Sequence, residues 1–180
     1  MKKILSLFLI FVMLMGCMSG CGTTRETEAP TTEPQIFENN SALQLLTDKY
    51  EAGAGSFTLG ESSRIFAVVT EEDQAVLEWA PFLSRQFAGA ELPSAPPMVV
   101  AYGQQEQSGA GDVLLMLDPA LGEEAYELRV EPEQIAVRGG DRRGLMYGVF
   151  MLIKAFRANG GMTLGTCTIS DAPDAGDRVV

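Results

Sequence analysis

The chain has 180 residues, with 13 Lys and Arg, 24 Asp and Glu and no His, for a formal net charge of −11. That balance leaves no clustered cations to neutralise phosphates, which excludes a general nucleic-acid-binding surface. The missing His excludes the usual general base, the Ser-His-Asp and Cys-His constellations and His-bearing metal sites.

Residues 1–16 hold Lys2 and Lys3 and no acid, so their removal leaves 11 basic and 24 acidic residues, a net charge of −13 on the remaining 164. These first residues read as an address. A basic start, Met1-Lys2-Lys3, precedes an apolar run over residues 4–15 in which only Ser6 is not hydrophobic. The pattern is that of a secretory signal, and it is shorter than the ~20 residues of a membrane-spanning helix. The run ends Leu14-Met15-Gly16-Cys17, and Met18-Ser19-Gly20-Cys21 follows. Both resemble the bacterial lipoprotein box, in which a small residue precedes the lipidated Cys. The resemblance implies a signal peptide and lipobox over residues 1–21, with lipid on Cys17 or alternatively on Cys21. It also implies an extracytoplasmic chain anchored to the bacterial cell membrane. The third cysteine, Cys167, reads as a buried small hydrophobe, since a catalytic thiol needs a base and no His is present.

Residues 22–40, GTTRETEAPTTEPQIFENN, are rich in Thr, Glu and Pro and offer only Ile36 and Phe37 to a core. They read as a disordered tether. Residues 41–180 are long enough for one domain. Residues 41–46 suggest a short helix. Residues 57–59 and 64–69 suggest strands. Thr70 is placed to cap a helix, with Glu71, Glu72 and Asp73 at its positive end. That helix carries Val76, Leu77, Trp79, Phe82, Leu83 and Phe87 at helical spacing. Pro81 predicts a kink or a break within it, and Gly89 its end. A strand at 98–102, a polar Gly-rich stretch at 103–112 and a continuous apolar strand at 113–117 come next. Residues 125–130 and 135–138, joined by Glu131-Pro132-Glu133-Gln134, read as a hairpin. Residues 142–158 form the clearest helix. Asp141 is its cap, and Leu145, Val149, Leu152, Ile153 and Phe156 form its apolar stripe. Gly144 and Gly148, one turn apart, predict close backbone approach to a sheet. Asn159-Gly160-Gly161 stops the helix, and residues 166–169 form a last strand.

Three segments in this order look familiar. Glu124-Ala125-Tyr126-Glu127-Leu128 resembles the E-G-Y-x-L strand of bacterial β-N-acetylhexosaminidases, the family-20 glycoside hydrolases, with Ala125 in place of the usual Gly. Gly144-Leu145-Met146-Tyr147-Gly148 resembles the G-x-x-Y-G opening of the helix that follows. Ile169-Ser170-Asp171-Ala172-Pro173 resembles the I-x-D-x-P-R segment that leads into their catalytic barrel. The resemblance covers residues 50–173 and concerns the non-catalytic N-terminal domain. It implies an α+β fold: a two-layer α/β sandwich, with a mostly antiparallel sheet and two main helices on one face. It makes Glu124, Tyr126, Leu128, Gly144, Tyr147, Gly148, Asp171 and Pro173 structural motif positions.

In that family a (β/α)₈ barrel performs the hydrolysis, with an adjacent Asp-Glu pair in which the Glu is the general acid and the Asp orients the substrate's acetamido group as nucleophile. Here Asp174 follows Pro173, and no Asp-Glu dipeptide occurs in the chain. The expectation is an accessory domain of a lipid-anchored hexosaminidase-like glycoside hydrolase. It is inert alone, with no catalytic residue, cofactor or metal, and truncated or split from its barrel. Its expected partners are the membrane and a barrel in cis or in trans. The alternative is a free-standing surface lipoprotein that binds glycans or a partner.

Other candidate sites read as ordinary structure. The loop 103–112 lacks Lys and precedes a strand, so it is a connection rather than a phosphate cradle. Asp112, Asp118, Glu123 and Glu124 lack the spacing of a calcium loop and read as solvated acids. Trp79 and Tyr126 could stack a sugar ring, but Trp79 sits on a core-like helix face that favours burial, and Tyr147 reads as packing or hydrogen bonding to the neighbouring sheet. Arg142 and Arg143 oppose the helix dipole and read as a surface feature facing a barrel.

Overall fold

The computed structural model describes residues 49–70, 74–88 and 98–172. Cys17, Cys21, the tether, the helix suggested at 41–46, the acidic turn at 71–73, Gly89 and Pro173 lie outside the described residues.

Strand formation follows the apolar patterning. β1 spans Tyr50–Thr58, β2 Arg64–Val68, β3 Val99–Gly103, β4 Val113–Leu117, β5 Tyr126–Val130, β6 Ile135–Gly139 and β7 Thr163–Asp171. They form one sheet in the order β1-β7-β5-β6-β4-β2-β3. The continuous apolar run of β4 lies between two strands and is buried on both sides. The alternating run of β5 buries Tyr126, Leu128 and Val130 and turns Glu127 and Arg129 the other way. The α+β class and the two-helix layer stand. The sheet, however, is evenly mixed rather than mostly antiparallel: β1/β7, β7/β5 and β5/β6 are antiparallel, whereas β6/β4, β4/β2 and β2/β3 are parallel. The parallel half arises because a helix and then a long loop return the chain between β2, β3 and β4, and parallel neighbours need such crossovers.

β1 and β7 are each nine residues long, well beyond the short strands read from 57–59 and 166–169. β1 begins Tyr-Glu-Ala-Gly-Ala-Gly-Ser, a composition with little strand propensity. Its pairing with β7 makes it a strand, and a register shift between Ala52 and Ser56 absorbs the mismatch.

Two helices cover one face of the sheet. α1 spans Ala75–Ala88 and α2 Arg142–Asn159. Leu83 and Phe87 of α1 and Leu145, Leu152 and Phe156 of α2 share one core with Ile65, Val113, Leu115, Leu128, Ile135 and Val137 of the sheet. The alternate residues Phe66, Leu114 and Met116 form a smaller cluster on the other face. α1 runs on through Pro81 instead of breaking. The proline removes the N–H that would reach the Leu77 carbonyl. Leu77 lies on the exposed side, at 36%, where water can take that carbonyl. Leu77 is therefore not the core residue its spacing suggested.

α2 is capped at both ends. The Asp141 carboxylate accepts from the Gly144 N–H at 2.8 Å, and Gly160, at φ 66°, turns the chain at the other end. Between them the helix lies directly on the sheet. A Cβ at Gly144 would overlap the Ala125 carbonyl, and one at Gly148 would come within 2.7 Å of Val137 Cγ1.

Gly144→Ala separates propensity from packing. Helix propensity alone favours Ala by about 1 kcal/mol, whereas forcing a methyl into this contact costs about 3 kcal/mol. The expected outcome is a lower urea midpoint; an unchanged or higher one would show that α2 has room to lift.

Candidate functional site

The three motif segments meet in one place. Gly144 sits against Ala125, and Gly148 sits against Tyr126 as well as Val137. Tyr126 stands opposite Asp171 in the β5/β7 register. Above them opens a groove of about 510 Å³ between α2 and the ends of β5 and β7, lined by Glu124, Tyr126, Tyr147, Phe150, Lys154 and Asp171 among others. Ala172, where the described chain ends, also lines it.

Each side chain has a reason for its position. Glu124 is the one described non-glycine residue at positive φ, 57°, in the turn that leads into β5. Its carboxylate is buried and accepts a 2.6 Å hydrogen bond from the Arg143 guanidinium. That partner holds Arg143 more firmly protonated than usual. Glu124 is thus not a solvated acid, and Arg143, at the start of α2, is spent on fixing it. Arg142 pairs across to Glu78 of α1. Tyr126 is buried, and burial together with the Asp171 charge pushes its phenol up to about 12. The Asp171 carboxylate also accepts from the Ala172 N–H at 2.8 Å.

The outer wall is apolar and half open. Tyr147 is 39% exposed and Phe150 40%. Phe150, Trp79 and Phe82 form an edge-to-face triad with centroids 5.5 to 6.0 Å apart. Trp79 is half-buried in that triad, and its indole N–H has no acceptor among the described residues.

The remaining candidates serve structure. Asp112 is buried and accepts from Arg64 Nε and from the Gly109 N–H, both at 2.7 Å, which pins the loop before β4. It too departs from the solvated reading. Asp118 caps a 3₁₀ turn at Pro119–Leu121 and lies 3.6 Å from Arg138. Leu128 is core. Cys167 is buried, and burial alone pushes its thiol up to about 11. No helix among the described residues is long and apolar enough to cross a membrane.

Phe150, Lys154 and Arg157 were not singled out by sequence reading, although they line the groove. Their spacing carried the signal. With Tyr147 they fall at i, i+3, i+7 and i+10, one stripe of α2 opposite its buried stripe.

Residues 47–172 match glycosyl hydrolase family 20, domain 2. No curated protein matches the sequence. Among solved structures, the β-N-acetylhexosaminidase of Bacteroides fragilis NCTC 9343 is 21% identical with a TM-score of 0.50, over 68% of this chain and 23% of that one. The family-20 β-N-acetylhexosaminidase of Streptomyces coelicolor A3(2) is 17% identical with a TM-score of 0.53, over 68% of this chain and 24% of that one. At these identities the likeness is one of fold, and this chain spans about a quarter of either neighbour.

The raised phenol of Tyr126 ties stability to alkaline pH. The unfolded chain releases this proton near 10 and the folded chain near 12. The stabilisation is therefore full below about pH 10 and is lost as pH rises through about 12. Urea midpoints across that window should fall more steeply in the parent than in Tyr126→Phe, and Asp171→Asn should bring the phenol's titration down. Parallel curves would show that Tyr126 ionises as freely folded as unfolded.

Proposed function

This chain belongs to glycosyl hydrolase family 20 by way of that family's domain 2, and we propose from that premise that it is the accessory domain of a lipid-anchored, β-N-acetylhexosaminidase-like glycoside hydrolase. It does no chemistry itself. It works beside a catalytic barrel, in cis or in trans, and is held at the bacterial cell surface through Cys17, or alternatively Cys21.

The observation that carries the reading is the convergence of the family's three segments on one groove, which the exposed Tyr147 and Phe150 also line. Tyr147 and Phe150 lie together on one stripe of α2, and adjoining exposed apolar surface of this kind is what a docked neighbour covers. A barrel, in cis or in trans, covers the helix layer. The buried Glu124–Arg143 pair and the Gly144 and Gly148 contacts set the shape of that surface; they do not build a reacting centre.

Glycan binding is the second reading, favoured by Tyr147 and Phe150 next to the Asp171 carboxylate. It is weaker because the Phe150 ring is engaged with Trp79 and Phe82.

Two measurements test these assignments. The purified chain should show no turnover of aryl N-acetyl-β-hexosaminides and no heat on titration with N,N′-diacetylchitobiose; turnover would overturn the accessory role, and saturable heat would favour the glycan reading. Mass spectrometry of the chain from cell membranes should find a lipid-modified Cys17, or Cys21, at the mature N-terminus. An unlipidated, soluble product sinks the anchor.

A further inference from the structure

The helix layer carries a charge opposite to that of the rest of the chain. α1 and α2 together hold five basic residues, Arg85, Arg142, Arg143, Lys154 and Arg157, against one acid, Glu78. This local excess of four positive charges stands in a chain of net −11. Arg142 and Arg143 are committed to Glu78 and Glu124. Arg85 and Lys154 are exposed and have no ion-pair partner among the described residues.

The position of Lys154 is what matters. It lies one turn beyond Phe150 and two beyond Tyr147 on the outward stripe of α2, and all three line the groove. An apolar outer wall with a cation at its edge fits a surface that offers an apolar side chain ringed by carboxylates. Asp171 and Glu124 line the same groove, but Glu124 is held by Arg143, and neither forms an ion pair with Lys154 among the described residues. A neutral or basic surface docked here would cover Lys154 without supplying a partner, at a cost in desolvation. Like charges facing each other would also slow association, whereas opposite ones speed it.

Resting on the reading that a barrel docks on the helix layer, we propose that the docking surface is acidic. An Asp or Glu of the barrel pairs with Lys154, beside an apolar side chain seated on Tyr147 and Phe150. The positive helix layer selects this partner.

Lys154 is the only lysine on either helix, so a zero-length carbodiimide coupling can read its contact directly. The reagent joins an amine to a carboxylate only where the two already touch. The full chain, in membranes of cells that naturally make it, is treated with carbodiimide. In parallel, a photo-crosslinking amino acid is placed at 150. Cross-linked peptides are sequenced by mass spectrometry.

The expected result is an amide between Lys154 and an Asp or Glu of a glycoside-hydrolase barrel, with position 150 caught on the same barrel. Lys154→Glu should cut the photo-product at least tenfold, while Lys154→Arg should keep it and lose only the amide. A barrel caught at 150 with no amide at 154, and with Lys154→Glu indifferent, overturns the acidic surface and leaves the docking reading intact. An amide to Asp171 or Glu124 of the same chain also overturns it, since the lysine then serves its own groove. No barrel at either position, with binding of the chain to phosphatidylglycerol vesicles, overturns both and assigns the layer to the membrane.

Discussion

The seating of α2 on β5 and β6 is the constraint on which the rest of the structure depends. Two glycines one turn apart let the helix backbone come down onto Ala125, Tyr126 and Val137. That approach buries Tyr126 and lowers the start of α2 onto the turn before β5. The Arg143 guanidinium then reaches the Glu124 carboxylate. Glu124 keeps a left-handed backbone that a non-glycine residue adopts only when its surroundings enforce it. The floor of the groove, its buried acid and its perturbed phenol all follow from that packing distance. A helix held a methyl's width further out would form the same core in outline and a different groove.

The charges on the helix layer have separate tasks. Arg142 and Glu78 tie α1 to α2 across their exposed faces, a link of small energetic value at such exposure. Arg143 satisfies a buried acid, where removing one partner would leave the other uncompensated. On the opposite face of the sheet, Glu127 lies near both Arg129 and Arg138, so the strands that form the floor of the groove are charged on their far side. The two faces of β5 thus differ in kind, one apolar and beneath α2, the other ionic.

Much of this was legible in the sequence, for physical reasons that can be named. β4, β5, β6 and α2 announced themselves because their own side chains fix their environment: an unbroken apolar run, a clean alternation, a stripe of period 3.6. β1 did not, because Ala and Gly carry no strand signal and β7 imposes the conformation. Sheet direction was not legible from patterning either, since parallel and antiparallel neighbours bury the same residues. The burial of Asp112 and Glu124 went unread because each depends on an arginine far away in sequence, Arg64 and Arg143. The groove's motif residues were visible as family-like segments. Its outer wall, Phe150 and Lys154, was visible only as the unclaimed face of a helix.

β1 and β7 also define how the domain bears a load. They are antiparallel, with Tyr50 beside Ile169 and the Lys49 carbonyl accepting from the Ser170 N–H, so the chain enters and leaves at the same end of the pair. A pull between residues before Tyr50 and after Asp171 therefore opens that pair one rung at a time, from Tyr50 inward, instead of shearing every rung together. The first rungs to open precede the register shift at Ala52, where the ladder is already interrupted. Under tension the domain yields at this seam first, while β7 stays paired to β5 and the rest of the sheet keeps its helices.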